Sequence, residues 1–139
     1  MQVKGKDPYL TRKATLRDVR NIHVLINTCA KSKVVLPRSL NFIYDNIRDF
    51  FICENRRGAV IGCCALHVVW QDLAEIKSLV VKKNYQGKNI GTMLVRRCLE
   101  EARQLGVRRV FALTYKPKFF RKNKFQRIRK SKLPAKVWR

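Results

Sequence analysis

The chain of 139 residues is long enough for a single domain whose core buries roughly two-thirds of its unfolded surface. It carries 32 Lys and Arg against 9 Asp and Glu, a formal net charge of +23, so its field gathers anions and repels polyamines. The polar N-terminus MQVKGKDPYL argues against a signal peptide, and no apolar run approaches the roughly 20 residues that span a bilayer, so a soluble, cytoplasmic protein is expected.

In chain order, Tyr9 to Ala14 suits a short edge strand, and Thr15 followed by Asp18 has the form of a capping box that opens a helix. Val19, Ile22, Leu25, Ile26 and Cys29 recur at helical spacing up to a break at Lys31-Ser32-Lys33. Pro37-Arg38-Ser39 opens a second helix with Leu40, Ile43, Ile47 and Phe50 on one face. Phe50 to Glu54, a turn at Asn55-Arg56-Arg57-Gly58, and Ala59 to Trp70 form a hairpin. Leu73 to Val81 follows as a central strand, although Glu75 and Lys77 sit in its first half. Met93, Leu94, Leu99, Ala102 and Leu105 line a helix that stops at Gly106. Val107 to Thr114 is the next strand, Lys116 to Asn123 a short helix, and Phe125 to Ile128 a last strand. The order β-α-α-β-β-β-α-β-α-β describes one mixed α/β domain over residues 1–139, with a βαβ crossover from Leu73 to Thr114.

The basic segment 116–139 contains no acidic residue, the last being Glu101. It fits a solubilising or partly disordered end as well as a binding role, and its Phe119, Phe120, Phe125 and Ile128 call for burial. Five cysteines, at 29, 53, 63, 64 and 98, show neither Cys-x-x-Cys spacing nor histidines at ligand spacing, so reduced buried thiols and no metal site are expected. His67, between Leu66 and Val68, fits a satisfied strand histidine.

The stretch Tyr85-Gln86-Gly87-Lys88-Asn89-Ile90-Gly91-Thr92 stands between a strand and a helix. There the free amides of a helix start meet the positive end of its dipole, a seat for an anion such as pyrophosphate. Gly87 and Gly91 let the backbone approach a ligand, while Gln86 and Lys88 supply a donor and a charge. The spacing fits neither a Walker loop nor the dinucleotide fingerprint.

This order resembles the acetyl-CoA motif Arg/Gln-x-x-Gly-x-Gly/Ala of the GNAT acyltransferase superfamily. TLRDVRNIHVLI, LPRS, GCCAL, AEIKSLVV, YQGKNIG and FALTYKPKFFRKNKFQRI together are similar to the short N-acetylglutamate synthase type of amino-acid N-acetyltransferase of arginine biosynthesis. Asn89 replaces the motif's middle glycine and Lys124 the glycine of a Gly-Phe pair, which puts about 1–2 kcal/mol of strain at Lys124 if that helix end is left-handed.

The resemblance implies a GNAT-like sheet splayed between the strands flanking the loop, with the backbone of Leu79, Val80 and Val81 pairing the pantetheine of acetyl-CoA. Residues 86–92 would hold the pyrophosphate. It implies Glu75 as the base for the acceptor amine, beside the alternative of a strand carboxylate paired with Lys77. The family's general-acid tyrosine position is Phe120 here, leaving Tyr115 as substitute acid or as a structural tyrosine. Arg38 and Ser39, and secondarily Lys77, would contact acceptor carboxylates, beside the alternative of an ordinary helix-cap arginine. The implied reaction moves acetyl from acetyl-CoA to the α-amine of an amino acid, most favourably L-glutamate. A protein amine, polyamine or other small amine is the second reading and a basic nucleic-acid-binding module the third; a homodimer stays open. The family pattern also implies further chain beyond Val137-Trp138-Arg139 contributing to the acceptor site.

Overall fold

The computed structural model describes residues 8–31 and 35–134. The N-terminal residues 1–7, Ser32-Lys33 of the expected break, and Val137-Trp138-Arg139 lie outside the described residues. The strands are Tyr9–Lys13 (β1), Phe50–Asn55 (β2), Val60–Trp70 (β3), Leu73–Val81 (β4) and Arg109–Ala112 (β5), joined in one sheet in that order. The first four pair antiparallel, and β4 pairs β5 in parallel. A parallel pair needs a crossover, supplied by the helix Ile90–Leu105. Taken in chain order, the helices are Val19–Ala30 (α1), Leu40–Asp45 (α2), that crossover (α3) and Pro117–Lys122 (α4).

The helices divide between the two faces of the sheet. Ile22 and Ile26 of α1 and Ile43 of α2 pack with Phe50, Ile52, Cys63 and Ala65. Leu94, Val95 and Cys98 of α3 and Phe120 of α4 pack with Cys64, Leu66, Ala74 and Ile76 on the other side. Each buried aliphatic side chain contributes roughly 1.5–3 kcal/mol relative to exposure, so the sheet is clamped from both faces.

The chain enters α1 as expected from Thr15 and Asp18. The Thr15 amide donates to Asp18 Oδ2 at 2.8 Å, and residues 16–18 form a 3₁₀ turn before the helix proper. Asp18 also receives both terminal nitrogens of Arg12, at 2.8 and 3.0 Å, and Arg12 reaches on to Glu54. Gly106, at φ +84°, closes α3 left-handed.

A last strand over Phe125 to Ile128 does not form: residues 125–129 join no ladder. The amide of Phe125 instead closes the end of α4 on the Phe120 carbonyl at 2.9 Å, and its ring packs edge-on to that of Phe120 at 5.2 Å. Farther on, Leu133 is buried against Leu73 and Phe111, so the basic segment docks on the sheet at that residue. Lys124 is left-handed at φ +71°, the strained conformation expected of it.

The alternation of β4 reverses part-way along. Ala74 and Ile76 face α3, yet beyond Ser78 it is Leu79 and Val81 that pack on that cluster, and Val80 that packs under α1. Ser78, at φ +55°, carries the extra residue: Cys63 pairs with Val80 and Ala65 with Lys77, so three steps on β4 oppose two on β3.

Candidate active site

The splay follows directly from the ladder. Parallel pairing ends where Ile76 faces Ala112, and β4 runs on to Val81 without a strand on that side. Leu79, Val80 and Val81 therefore expose a backbone edge while their side chains stay anchored in the two cores.

At the far end of this edge lies the loop into α3. Gly87 (φ +80°) and Asn89 (φ +68°) both adopt the left-handed conformation, and the first helical bond runs from the Met93 amide to the Asn89 carbonyl at 3.1 Å. Among the described residues, the amides of residues 87–92 make no hydrogen bond, so they remain as donors at the positive end of a helix of 16 residues. Asparagine tolerates this conformation better than most residues, which explains how Asn89 occupies a glycine position of the motif.

Two loop residues, Gln86 and Gly91, act differently from the expectation. The Gln86 side chain donates to the Val81 carbonyl at 3.1 Å, tying the loop to the end of β4 rather than offering a free donor. A Cβ on Gly91 would lie 3.2 Å from the Phe119 ring, so this glycine makes room for α4, whereas one on Gly87 would meet nothing within 4 Å. Ile90 and Thr92 are buried and position the helix start, and Lys88 is exposed.

On the α1/α2 face of β4, two residues apart and thus on one side of the pleat, stand Glu75 and Lys77. Burial pushes the Glu75 carboxyl above its ordinary range, while Lys77, His67 and Arg38 act in the opposite sense. Glu75 makes no ion pair with Lys77 among the described residues, so the paired strand carboxylate is not what forms. Lys77 instead sits 5.6 Å from the Phe42 ring centre, and the Arg38 guanidinium stacks on the same ring at 4.5 Å.

The Arg38 backbone is clamped by Asn27, which accepts from its amide at 3.1 Å and donates to its carbonyl at 2.9 Å. Among the described residues Arg38 Nε is buried without a partner, a donor in want of an acceptor. Ser39 is the N-cap of α2, its hydroxyl accepting the Phe42 amide at 3.0 Å. Tyr115 lies beyond β5, 81% exposed. Phe120, in the tyrosine position of the family pattern, is buried in the α3-side core and provides no hydroxyl.

Sequence reading missed Asn27 and Phe42, because both belong to helices whose distance from β4 only the tertiary fold closes. It also missed His67 as a neighbour of Glu75. The two are directly paired across β3 and β4, and His67 Nδ1 contacts Asp49 Oδ2 at 2.8 Å. Cys53, Cys63, Cys64 and Cys98 are buried thiols outside any disulfide; burial pushes Cys53 up to about 11 and raises Cys63 further, so both are poor nucleophiles. No metal-holding cluster of His, Cys, Asp or Glu occurs among the described residues, nor is any helix long and apolar enough to cross a membrane. A recess of about 420 Å³ walled by Arg12, Asp18 and Glu54 lies at the β1 side, away from the splay.

A splayed β4 edge, a free-amide helix start beyond it and a half-buried carboxylate at the opposite end of the same strand form the arrangement of an acyl-CoA transferase, and residues 16–125 match the sequence model of the acetyltransferase (GNAT) family. The chain belongs to that family. Within the GNAT family, an amino-acid acetyltransferase of Mycobacterium tuberculosis is 37% identical over 131 residues, 93% of this chain and 75% of the relative. The N-acetylglutamate synthase of Neisseria gonorrhoeae, solved with coenzyme A and N-acetyl-glutamate, superposes with a TM-score of 0.89 at 28% identity, over 96% of this chain and 32% of that one. An amino-acid acetyltransferase of Aeromonas salmonicida is 32% identical over 96% of this chain but only 30% of its own length, so this GNAT chain spans less than a third of such longer relatives.

Proposed function

We propose that the protein transfers acetyl from acetyl-CoA to the α-amine of an amino acid, with L-glutamate the favoured acceptor. The observation that carries the acceptor class is the pair of cations, Arg38 and Lys77, set on Phe42 beside Glu75, with Arg38 Nε buried and unpartnered. A dicarboxylate would satisfy that donor and neutralise the cations, while its ammonium would lie within reach of Glu75. The names of the relatives support the same acceptor class.

In this reading the pantetheine of acetyl-CoA adds to the open edge of β4 and the pyrophosphate sits on the amides of residues 87–92. Glu75 takes the proton from the acceptor ammonium, directly or through a water, and the amine attacks the thioester carbonyl. Tyr115 is the candidate acid for the departing thiolate. Free thiols throughout the described chain fit a reducing compartment, in keeping with a cytoplasmic enzyme.

Thiol release from acetyl-CoA over a panel of amino acids and polyamines tests the reaction, with glutamate expected to be turned over best. Glu75→Gln keeps the shape and removes the base, so kcat is expected to fall by about two orders of magnitude with little change in CoA affinity. Because the Glu75 carboxyl is raised by burial, wild-type activity falls as pH drops through a value above the ordinary carboxylate range, and the variant lacks that step. Wild-type turnover and pH profile in Glu75→Gln would leave catalysis to the positioning of an amine already deprotonated in solution.

A further inference from the structure

His67 is used neither by the core nor by the reaction as described above, yet it is placed where a proton leaving Glu75 needs a next stop. It faces Glu75 across the β3–β4 ladder, a direct antiparallel pairing that brings Cβ atoms to about 4.5–5.5 Å. Both lie on the α1/α2 side of the sheet, since Ala65, two residues before His67, packs there. Glu75 is half-buried, whereas the His67 side chain is 39% exposed, so the imidazole spans from the carboxylate to solvent.

The second half of the arrangement is Asp49, at the end of the 3₁₀ turn Ile47–Asp49 that leads into β2. Its carboxylate accepts from His67 Nδ1 at 2.8 Å, which fixes the proton on Nδ1 and leaves Nε2 as a base. Among the described residues the ring makes no second hydrogen bond. Asp49 sets a carboxylate against the ring, and His67, like Lys77 and Arg38, acts electrostatically on the Glu75 carboxyl.

Resting on the acetyl-transfer reading, we propose that His67, oriented by Asp49, is a positioning residue that relays to solvent the proton Glu75 removes from the acceptor ammonium. The N–H bond of the ammonium breaks and the proton passes to a Glu75 carboxylate oxygen. It then moves to His67 Nε2, restoring the Glu75 carboxylate, and the imidazolium beside Asp49 releases it to water. Forming an amide and a thiol from an ammonium and a thioester liberates one proton overall, and this is the one that leaves.

Kinetics and nitrogen NMR test the relay independently. His67→Gln and His67→Ala are expected to lower kcat about tenfold near neutral pH with CoA affinity unchanged, and imidazole in the buffer is expected to restore turnover in His67→Ala several-fold. A loss of kcat with no rescue and an unchanged pH profile would overturn the relay, as would wild-type kcat in both variants. The protein has only 2 histidines, so ring nitrogens of the intact chain can be assigned. Neutral His67 is expected to carry its proton on Nδ1, the nitrogen that faces Asp49. A proton on Nε2 would overturn the proposal even if no amino acid is acetylated. Absence of turnover by wild-type protein with the NMR results as expected would instead count against the acetyl-transfer reading alone.

Discussion

Two residues in left-handed backbone shape the elements that carry them, Ser78 in β4 and Lys124 after α4. Ser78, a single extra residue on β4, turns Val80 under α1 and Leu79 and Val81 toward α3, so the free edge is locked by packing on both faces. Without the bulge, alternation would carry the side chains after Lys77 to the opposite faces. Lys124 serves as the left-handed residue after α4, its amide bonding to the Arg121 carbonyl at 3.0 Å. Glycine adopts this conformation without steric cost, so Lys124→Gly is expected to raise stability by about 1 kcal/mol in thermal or chemical unfolding. A lower melting temperature would mean that the lysine stem contributes packing that outweighs the backbone strain.

At the scale of elements, the entry of α1 is tied to the sheet by charge. Asp18 is buried and receives both the guanidinium of Arg12 and the Thr15 amide, and the Arg12 hydrogen bonds hold its carboxyl below the ordinary range. A depressed carboxyl stabilises the fold above its unfolded value, near 3.9, and that contribution is lost as pH falls through the folded value. Asp18→Asn is therefore expected to cost about 2 kcal/mol at neutral pH and to flatten the loss of stability below about pH 4. Urea unfolding at a series of pH values measures both; equal acid slopes in variant and wild type would place the acid-sensitive group elsewhere. The helix start of α3 follows another rule. There the amides of residues 87–92 stay free because Gly87 and Asn89 turn the chain left-handed before the first helical bond, so the element keeps its donors for an anion.

Over the whole molecule, 32 basic residues against 9 acidic ones create a positive field, and Lys82, Lys83 and Lys88 are exposed around the loop into α3. A polyphosphate ligand is drawn in by that field, and salt screens it with a Debye length of about 10 Å at 0.1 M. The association rate of CoA is expected to fall about tenfold between 0.05 and 0.5 M salt, with a smaller change in dissociation, as stopped-flow binding would show. A salt-independent association rate would confine the attraction to the short-range contacts of the loop.

The sequence by itself determined the parts governed by local rules. Helical periodicity gave α1 and α3, the capping pair Thr15 and Asp18 gave the start of the first helix, Gly106 gave the end of α3, and the glycine-bearing loop gave the turn into α3. These depend on neighbours three or four positions away, and the chain carries that information in order. The family resemblance added Glu75, Arg38 and Lys77, which the fold brings to one side of the sheet. Only the tertiary structure decided what long-range neighbours impose. The Ser78 bulge depends on the register with β3, and the fate of Phe125 depends on the aromatic cluster around Phe120 rather than on its own strand propensity. Gly91 is small on account of Phe119, and Gln86 faces Val81. The Lys77–Phe42 contact, the Asn27 clamp and the His67–Asp49 pair join residues 11 to 35 positions apart, for example 18 between His67 and Asp49 and 11 between Asn27 and Arg38. No periodicity records such contacts, because they come into being only when the two helices and the hairpin close over one face of β4.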